Sequence, residues 1–185
     1  MRTLILGGVR SGKSRHAEGL AREAALPITL IATGTADDEE MNARIAAHRA
    51  RRPANWAVIE EPLQLSRALV QAARPESTVI VVCLTLWLTN LLCHADPTLL
   101  EIETNSLLAA LPDLPGHQIL VGNEVGFGIM PVNDLARRFV DVAGALHWRL
   151  GALCDRVELV VAGLPMTLKA AGAGAGAKGA LGALR

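Results

Sequence analysis

The sequence predicts one α/β domain, a mainly parallel sheet with helices on both faces. Three observations carry that expectation. Short apolar runs alternate with longer amphipathic segments through most of the 185 residues, the pattern of strand–helix–strand units. The runs Val79, Ile80, Val81, Val82 and Val157, Glu158, Leu159, Val160, Val161 are rich in β-branched residues, as strands covered on both faces are. The first apolar run also opens directly into a glycine turn that leads to a helix. With 51% hydrophobic and 19% charged residues, the chain is apolar enough to bury a core without metals or disulfides.

In chain order, strands are expected at 2–6, 28–32, 56–60, 78–83, 118–122 and 157–161. Helices are expected at 13–25, 37–51, 62–74, 85–94, 98–111 and 132–152. The helix at 37–51 is the best marked. Asp37, Asp38, Glu39 and Glu40 crowd its first turn, arginines its last, and Pro53 stops it. Residues 1–169 read as a single domain with no repeat or linker, and twelve of the sixteen residues of 170–185 are Ala or Gly. Such a tail has little to bury and is expected to be mobile.

Charge and hydropathy exclude several classes. The 18 basic residues cancel the 18 acidic ones, so no net field recommends nucleic acid or an anionic membrane as a partner. The longest apolar run, 79–92, holds Thr85, Thr89 and Asn90 and is too short to span a bilayer. No secretory h-region precedes the first glycine turn, so a soluble cytoplasmic protein is expected. Cys83, Cys93 and Cys154 form no C-x-x-C and read as small buried residues in a reducing compartment.

The basic set is 15 Arg and 3 Lys, and the first 168 residues contain a single lysine, Lys13. It stands in the run Gly7, Gly8, Val9, Arg10, Ser11, Gly12, Lys13, Ser14, which fits G-x-x-x-x-G-K-[ST] between a strand and a helix. There the glycines let successive N–H groups point at phosphate oxygens, and the helix N-terminus adds its positive end. Lys13 would reach the β- and γ-phosphates and the Ser14 hydroxyl would ligate Mg²⁺. The scarcity of lysine forbids the N-K-x-D of a switch GTPase, and the D-x-x-G at 141–144 falls inside an expected helix. A motor or AAA-type ATPase needs a longer chain, which leaves small-molecule phosphotransfer. The strand that should end in a Mg²⁺-holding acid instead runs through Val82 into Cys83. Glu60 and Glu124, each at a strand's carboxyl end, are the substitutes expected beside the loop, unless they are plain surface carboxylates.

Two further segments stand out. Arg44, His48 and Arg51 or Arg52 form a basic stripe at helical spacing. A neutral imidazole amid guanidinium groups suits a phosphoryl or nucleotidyl acceptor; a capped surface helix accounts for the same charges. Residues 122–131 hold three glycines and a single aromatic, Phe127, at a strand end, which suits either a substrate-facing loop or a simple turn.

Taken together, GGVRSGKSRHAE at 7–18, IATGTADDEEMNARIAAHRARRPANW at 31–56, CLTLWLTNLL at 83–92 and NEVGFGIMPVNDLARRF at 123–139 resemble the bifunctional adenosylcobinamide kinase / adenosylcobinamide-phosphate guanylyltransferases of cobalamin biosynthesis. The resemblance covers residues 1 to about 169 and implies a P-loop NTPase-like α/β fold assembled as a homotrimer. It implies that ATP or GTP phosphorylates adenosylcobinamide. His48 would then take GMP from GTP as a covalent phosphoramidate and pass it to adenosylcobinamide phosphate. It assigns nucleotide contacts to residues 7–14, to Thr33, Gly34 and Thr35, to Arg49, Ala50, Arg51 and Arg52, and to Glu60. Two positions depart from the family pattern: Val82 stands where an acid is usual, and Val140 where an arginine is usual. A kinase of another small metabolite, or a nucleotide-binding module without catalysis, are the alternative readings.

Overall fold

Alternation along each strand decides this architecture. The computed structural model describes residues 1–35 and 55–172. Its strands are β1 (Arg2–Gly7), β2 (Ile28–Ala32), β3 (Ala57–Glu60), β4 (Thr78–Val82), β5 (His117–Asn123), β6 (Arg156–Val161) and β7 (Leu164–Lys169). They form one sheet in the order β3-β2-β4-β5-β1-β6-β7. The first six pair in parallel, with Leu4 opposite Leu120 on one side and Val157 on the other. Leu4, Leu6, Ile31, Val79, Val81 and Leu120 point to one face; Ile5, Leu30, Ile80, Ile119, Val121 and Val160 point to the other. Both sets are buried, which is why these strands read as nearly continuous apolar runs.

The helices are unequally shared between the faces. The larger core receives α2 (Leu65–Ala72), α3 (Leu84–Leu92), α4 (Leu99–Ala110) and α5 (Asp134–Leu153), with Trp87 fully buried among them. Among the described residues only α1 (Lys13–Glu23) packs on the opposite face, through Ala17 and Ala21. Arg22 of that helix lies over the Trp56 ring, 5.3 Å from its centroid.

Most expected elements are present, with boundaries moved for local reasons. The segment expected at 62–74 is helical only over Leu65–Ala72. Its entry is a turn in which the Glu61 carboxylate accepts from the Leu63 and Gln64 N–H groups. Ala73 is already extended, and Arg74 precedes Pro75, which disfavours helix there. The last helix starts at Asp134 rather than 132, because Asn133 caps it by accepting from the Ala136 N–H at 3.0 Å. The helix expected at 37–51 lies outside the described residues, as does most of the 170–185 tail. The D-x-x-G at 141–144 does fall inside a helix, α5.

One strand was not expected. β7 returns antiparallel on β6 through a two-residue turn in which Ala162 and Gly163 both have positive φ, the geometry that matches strand twist. Alanine seldom occupies such a position, and a proline within a run, here Pro165, disfavours a central strand. As an edge strand, β7 tolerates the proline. Cys93 is a second correction: it is exposed, whereas Cys154 is buried and Cys83 half-buried, and all three thiols are free. Cys93 follows the last turn of α3, beyond the reach of the core.

Candidate active site

The loop between β1 and α1 sits at the carboxyl edge of the sheet, with β5 and β6 on either side of β1. Its shape explains its glycines. Gly12 has φ +97°, and a Cβ there would lie 3.1 Å from Gly163 Cα. A Cβ on Gly7 would come within 2.5 Å of the Val160 carbonyl. Both positions therefore exclude side chains on conformational or steric grounds. The loop is braced from two neighbours: the Gly163 N–H donates to the Ser11 carbonyl at 2.8 Å, and the Glu124 N–H to the Gly7 carbonyl at 3.0 Å. Gly8, Val9 and Arg10 form its exposed crest.

Lys13 is buried at 8% exposure, and its ammonium donates to the Gly8 carbonyl at 3.0 Å. Burial pulls its pKa down, with the Cys83 thiol acting in the opposite sense. Charge on a buried ammonium is costly unless an anion meets it, and a triphosphate over this loop supplies one. Ser14 is half-buried in the first turn of α1. The Ser11 hydroxyl is buried with no protein partner, an arrangement that suits a polar ligand.

The end of β4 lacks its usual acid. Val82 packs against the apolar cluster beneath α1, and Cys83 caps α3, its Sγ accepting from the Leu86 N–H at 3.5 Å. Burial pushes the Cys83 thiol up, against the pull of the Leu86 and Thr85 donors and of Lys13. The thiol is therefore neutral and supplies no anion. Among the described residues no group of three or more His, Cys, Asp and Glu could hold a metal. Ser14 with phosphate oxygens and water fits Mg²⁺, which retains several waters and takes few protein ligands beside phosphates.

The two expected acids are not equivalent. Glu124 directly follows β5, the strand beside β1, and its backbone bonds the loop itself. Its carboxylate accepts from the Gly126 N–H at 2.6 Å and lies 3.8 Å from His147 Nδ1. Glu60 ends β3, the opposite edge strand, four strands from β1. At the spacing of paired strands that is roughly 19 Å, so Glu60 does not stand beside the phosphate loop as expected. The crossover order separates them, and strand ends alone could not reveal it.

Thr33, Gly34 and Thr35 leave the carboxyl end of β2. Thr33 is fully buried, and its hydroxyl accepts from the Cys83 N–H at 2.9 Å and donates to the Cys83 carbonyl at 2.8 Å. It joins β2 to the end of β4 rather than facing outward. Asn90 extends the joint, donating to the carbonyls of Thr33 at 2.7 Å and Pro62 at 3.0 Å. Sequence reasoning missed Asn90, although an amide inside an apolar run was a signal. It also missed Gly163, for which nothing local gives a sign. His48, Arg49, Ala50, Arg51 and Arg52 lie outside the described residues.

His16, His117 and His147 serve the framework. The His16 imidazole donates to the buried Glu158 carboxylate at 2.7 Å, which Arg156 also bonds at 2.6 Å. His117 bonds the Thr3 hydroxyl at 3.1 Å in the core. His147 lies against Gly122, where a Cβ would be 3.1 Å from its Nε2.

Comparison with known proteins identifies relatives of the whole domain. The profile of the family described as cobinamide kinase / cobinamide phosphate guanyltransferase matches residues 3–168. The chain is 55% identical to the bifunctional adenosylcobalamin biosynthesis protein CobP of Pseudomonas aeruginosa, over 91% of this chain and 98% of that protein. It is 40% identical to CobU of Salmonella typhimurium and 38% identical to CobU of Escherichia coli, both named bifunctional adenosylcobalamin biosynthesis proteins. Each alignment covers 91% of this chain and all of the relative.

Proposed function

Because the chain belongs to the cobinamide kinase / cobinamide phosphate guanyltransferase family, and so is both a kinase and a nucleotidyltransferase, we propose how its residues share the two reactions. The sequence contains one phosphate loop, and both reactions cut a nucleoside triphosphate. A single cradle at residues 7–14 can therefore serve both by holding the β- and γ-phosphates while different bonds break.

In the kinase step, the aminopropanol hydroxyl oxygen of adenosylcobinamide attacks the γ-phosphorus of ATP or GTP. The bond to the β–γ bridging oxygen breaks, the nucleoside diphosphate leaves, and the hydroxyl proton is lost. Lys13 and the loop N–H groups stabilise the charge that develops on the phosphates. In the transferase step, His48 attacks the α-phosphorus of GTP and expels pyrophosphate. Adenosylcobinamide phosphate then displaces the imidazole to give adenosylcobinamide-GDP. Dividing the exchange through a covalent histidine makes two in-line displacements of one difficult one. Arg49, Arg51 and Arg52 follow His48 in sequence and suit the charge on the attacked phosphorus; Ala50 lies between them. Mg²⁺, with Ser14 as its protein ligand, would neutralise phosphate charge, and Glu124 is the acid best placed to assist. Thr35 and Glu60 are assigned to nucleotide contact at the β2–β3 end of the edge, with Thr33 and Gly34 shaping that end. A homotrimer in the cytoplasm completes the reading. The resemblance supports it, and no described helix is long and apolar enough to cross a membrane.

The observation that carries this reading is the braced loop with its buried lysine, in a chain matched from residue 3 to 168 by that family. The test is incubation with α-³²P-GTP and Mg²⁺. Acid-labile, base-stable label on the protein is expected, and it should vanish in His48→Ala. Transfer of γ-phosphate to cobinamide without any such label would reduce the protein to a kinase, and failure of both reactions would overturn the assignment.

A further inference from the structure

The loop after β5 inverts the usual pattern of a surface loop. Its eight residues from 125 to 132 contain no charged or polar side chain, yet Phe127 is 82%, Ile129 98% and Val132 94% exposed. Met130 in the loop and Leu135 in the first turn of the helix that follows are exposed as well. Such clustering exceeds the ordinary scatter of apolar residues on a soluble surface and marks a contact site. Polar groups at its two ends hold the loop's own backbone. Glu124 accepts from the Gly126 N–H at 2.6 Å; Arg137 donates to the carbonyl of Pro131 at 3.2 Å and to that of Val132; Asn133 caps the helix that follows. Both ends are thus fixed before anything binds, which lowers the cost of ordering on contact.

We propose that this loop is the platform on which the corrin macrocycle of the cobinamide substrate rests, a proposal that builds on the function assigned above. Position is the first argument. The Glu124 N–H bonds the Gly7 carbonyl, so the loop springs from the rim of the phosphate cradle. The acceptor hydroxyl must reach the terminal phosphate there, and the bulk of the substrate must then lie on the adjoining surface. Chemistry is the second. A corrin presents methyl-bearing edges with uncharged amide arms, which matches apolar side chains interrupted by Gly126 and Gly128. No Cβ screens the backbone at either glycine, and a Cβ at Gly128 would meet nothing within 4 Å. A charged loop would suit the nucleotide instead, and this one carries no charge.

The test is equilibrium dialysis of the full-length protein against adenosylcobinamide, alongside steady-state kinase assays. Phe127→Ser with Ile129→Ser should weaken binding and raise the KM for adenosylcobinamide by about ten- to a hundredfold, the loss expected for two unburied side chains. kcat at saturation and self-labelling from α-³²P-GTP should stay near wild type, which also verifies folding. Phe127→Leu should retain most of the affinity. If wild type binds and turns over cobinamide but the double variant matches it, the platform is refuted and the function stands. If wild type takes up no cobinamide, both fall. A double variant whose oligomeric state changes while its cobinamide affinity does not would assign the loop to a second copy of the chain and refute the platform.

Discussion

At the scale of single residues, the site is defined as much by what is missing as by what is present. Lys13 has no competitor in the first 168 residues, and burial lowers its pKa, so a bound phosphate would offset the cost of its buried charge. The end of β4 offers the opposite case, a valine and a neutral thiol where phosphotransferases keep an acid. Val82 lies on the face that also carries α1, so a carboxylate there would face the helix that begins with Lys13 and Ser14. Val82→Asp is expected to lower the Mg²⁺ concentration needed for half-maximal kinase rate, by about tenfold for one added carboxylate interaction of roughly 1.4 kcal/mol. Mg²⁺ titrations of both half-reactions measure it, and unchanged curves would show that this position does not limit metal use.

At the scale of elements, the phosphate loop depends on anchors that come from distant parts of the chain. Helix α1 is tied to β6 by His16 and Glu158, with Arg156 as a second donor. Burial alone would raise the Glu158 pKa, but the hydrogen bonds from His16 and Arg156 outweigh it and hold the carboxylate ionised. Glu158→Ala leaves two donors without their acceptor and should destabilise the protein by about 3 kcal/mol in urea unfolding; a change below about 1 kcal/mol would mean that the pair is solvated. β7 acts on α5 in a comparable way. The Lys169 ammonium donates to the carbonyls of Gly151, Ala152 and Cys154 at 3.1, 3.1 and 2.6 Å, closing a helix terminus whose dipole attracts a cation. Lys169→Met should cost about 1–2 kcal/mol by the same measurement, which gives the edge strand a structural purpose.

At the scale of the whole molecule, two buried histidines make stability fall in acid. Burial pushes the His117 imidazole down to about 4, helped by the N-terminal ammonium and Arg156, and burial also lowers His147. In the unfolded chain both rings titrate near 6.5, so between about 4 and 6.5 the unfolded state binds more protons than the folded one. The part of the stability that rests on these neutral rings is therefore complete above about 6.5 and is lost as the pH falls, for His117 down to about 4. His117 accounts for about 2 kcal/mol of that loss after allowance for solvent screening. Urea midpoints at pH 7.5 and pH 5 test this, and His117→Gln should flatten the difference, leaving only the part due to His147.

The sequence by itself determined the fold class, because strands buried on both faces must be apolar throughout and the helices between them amphipathic. It also determined the phosphate loop, since the G-x-x-x-x-G-K-[ST] spacing, the positive φ of Gly12 and the charge of Lys13 belong to one short run. Tertiary structure alone decided which acid stands beside that loop. Glu60 and Glu124 look alike in sequence, each ending a strand, and only the strand order puts Glu124 next to β1 and Glu60 on the far edge. It also decided that the Thr33 hydroxyl is spent on the Cys83 peptide, that Gly163 braces Ser11 from more than 150 residues away, and that β7 pairs at the edge. These are contacts between segments distant in the chain, and their partners are set by crossovers that no local pattern encodes.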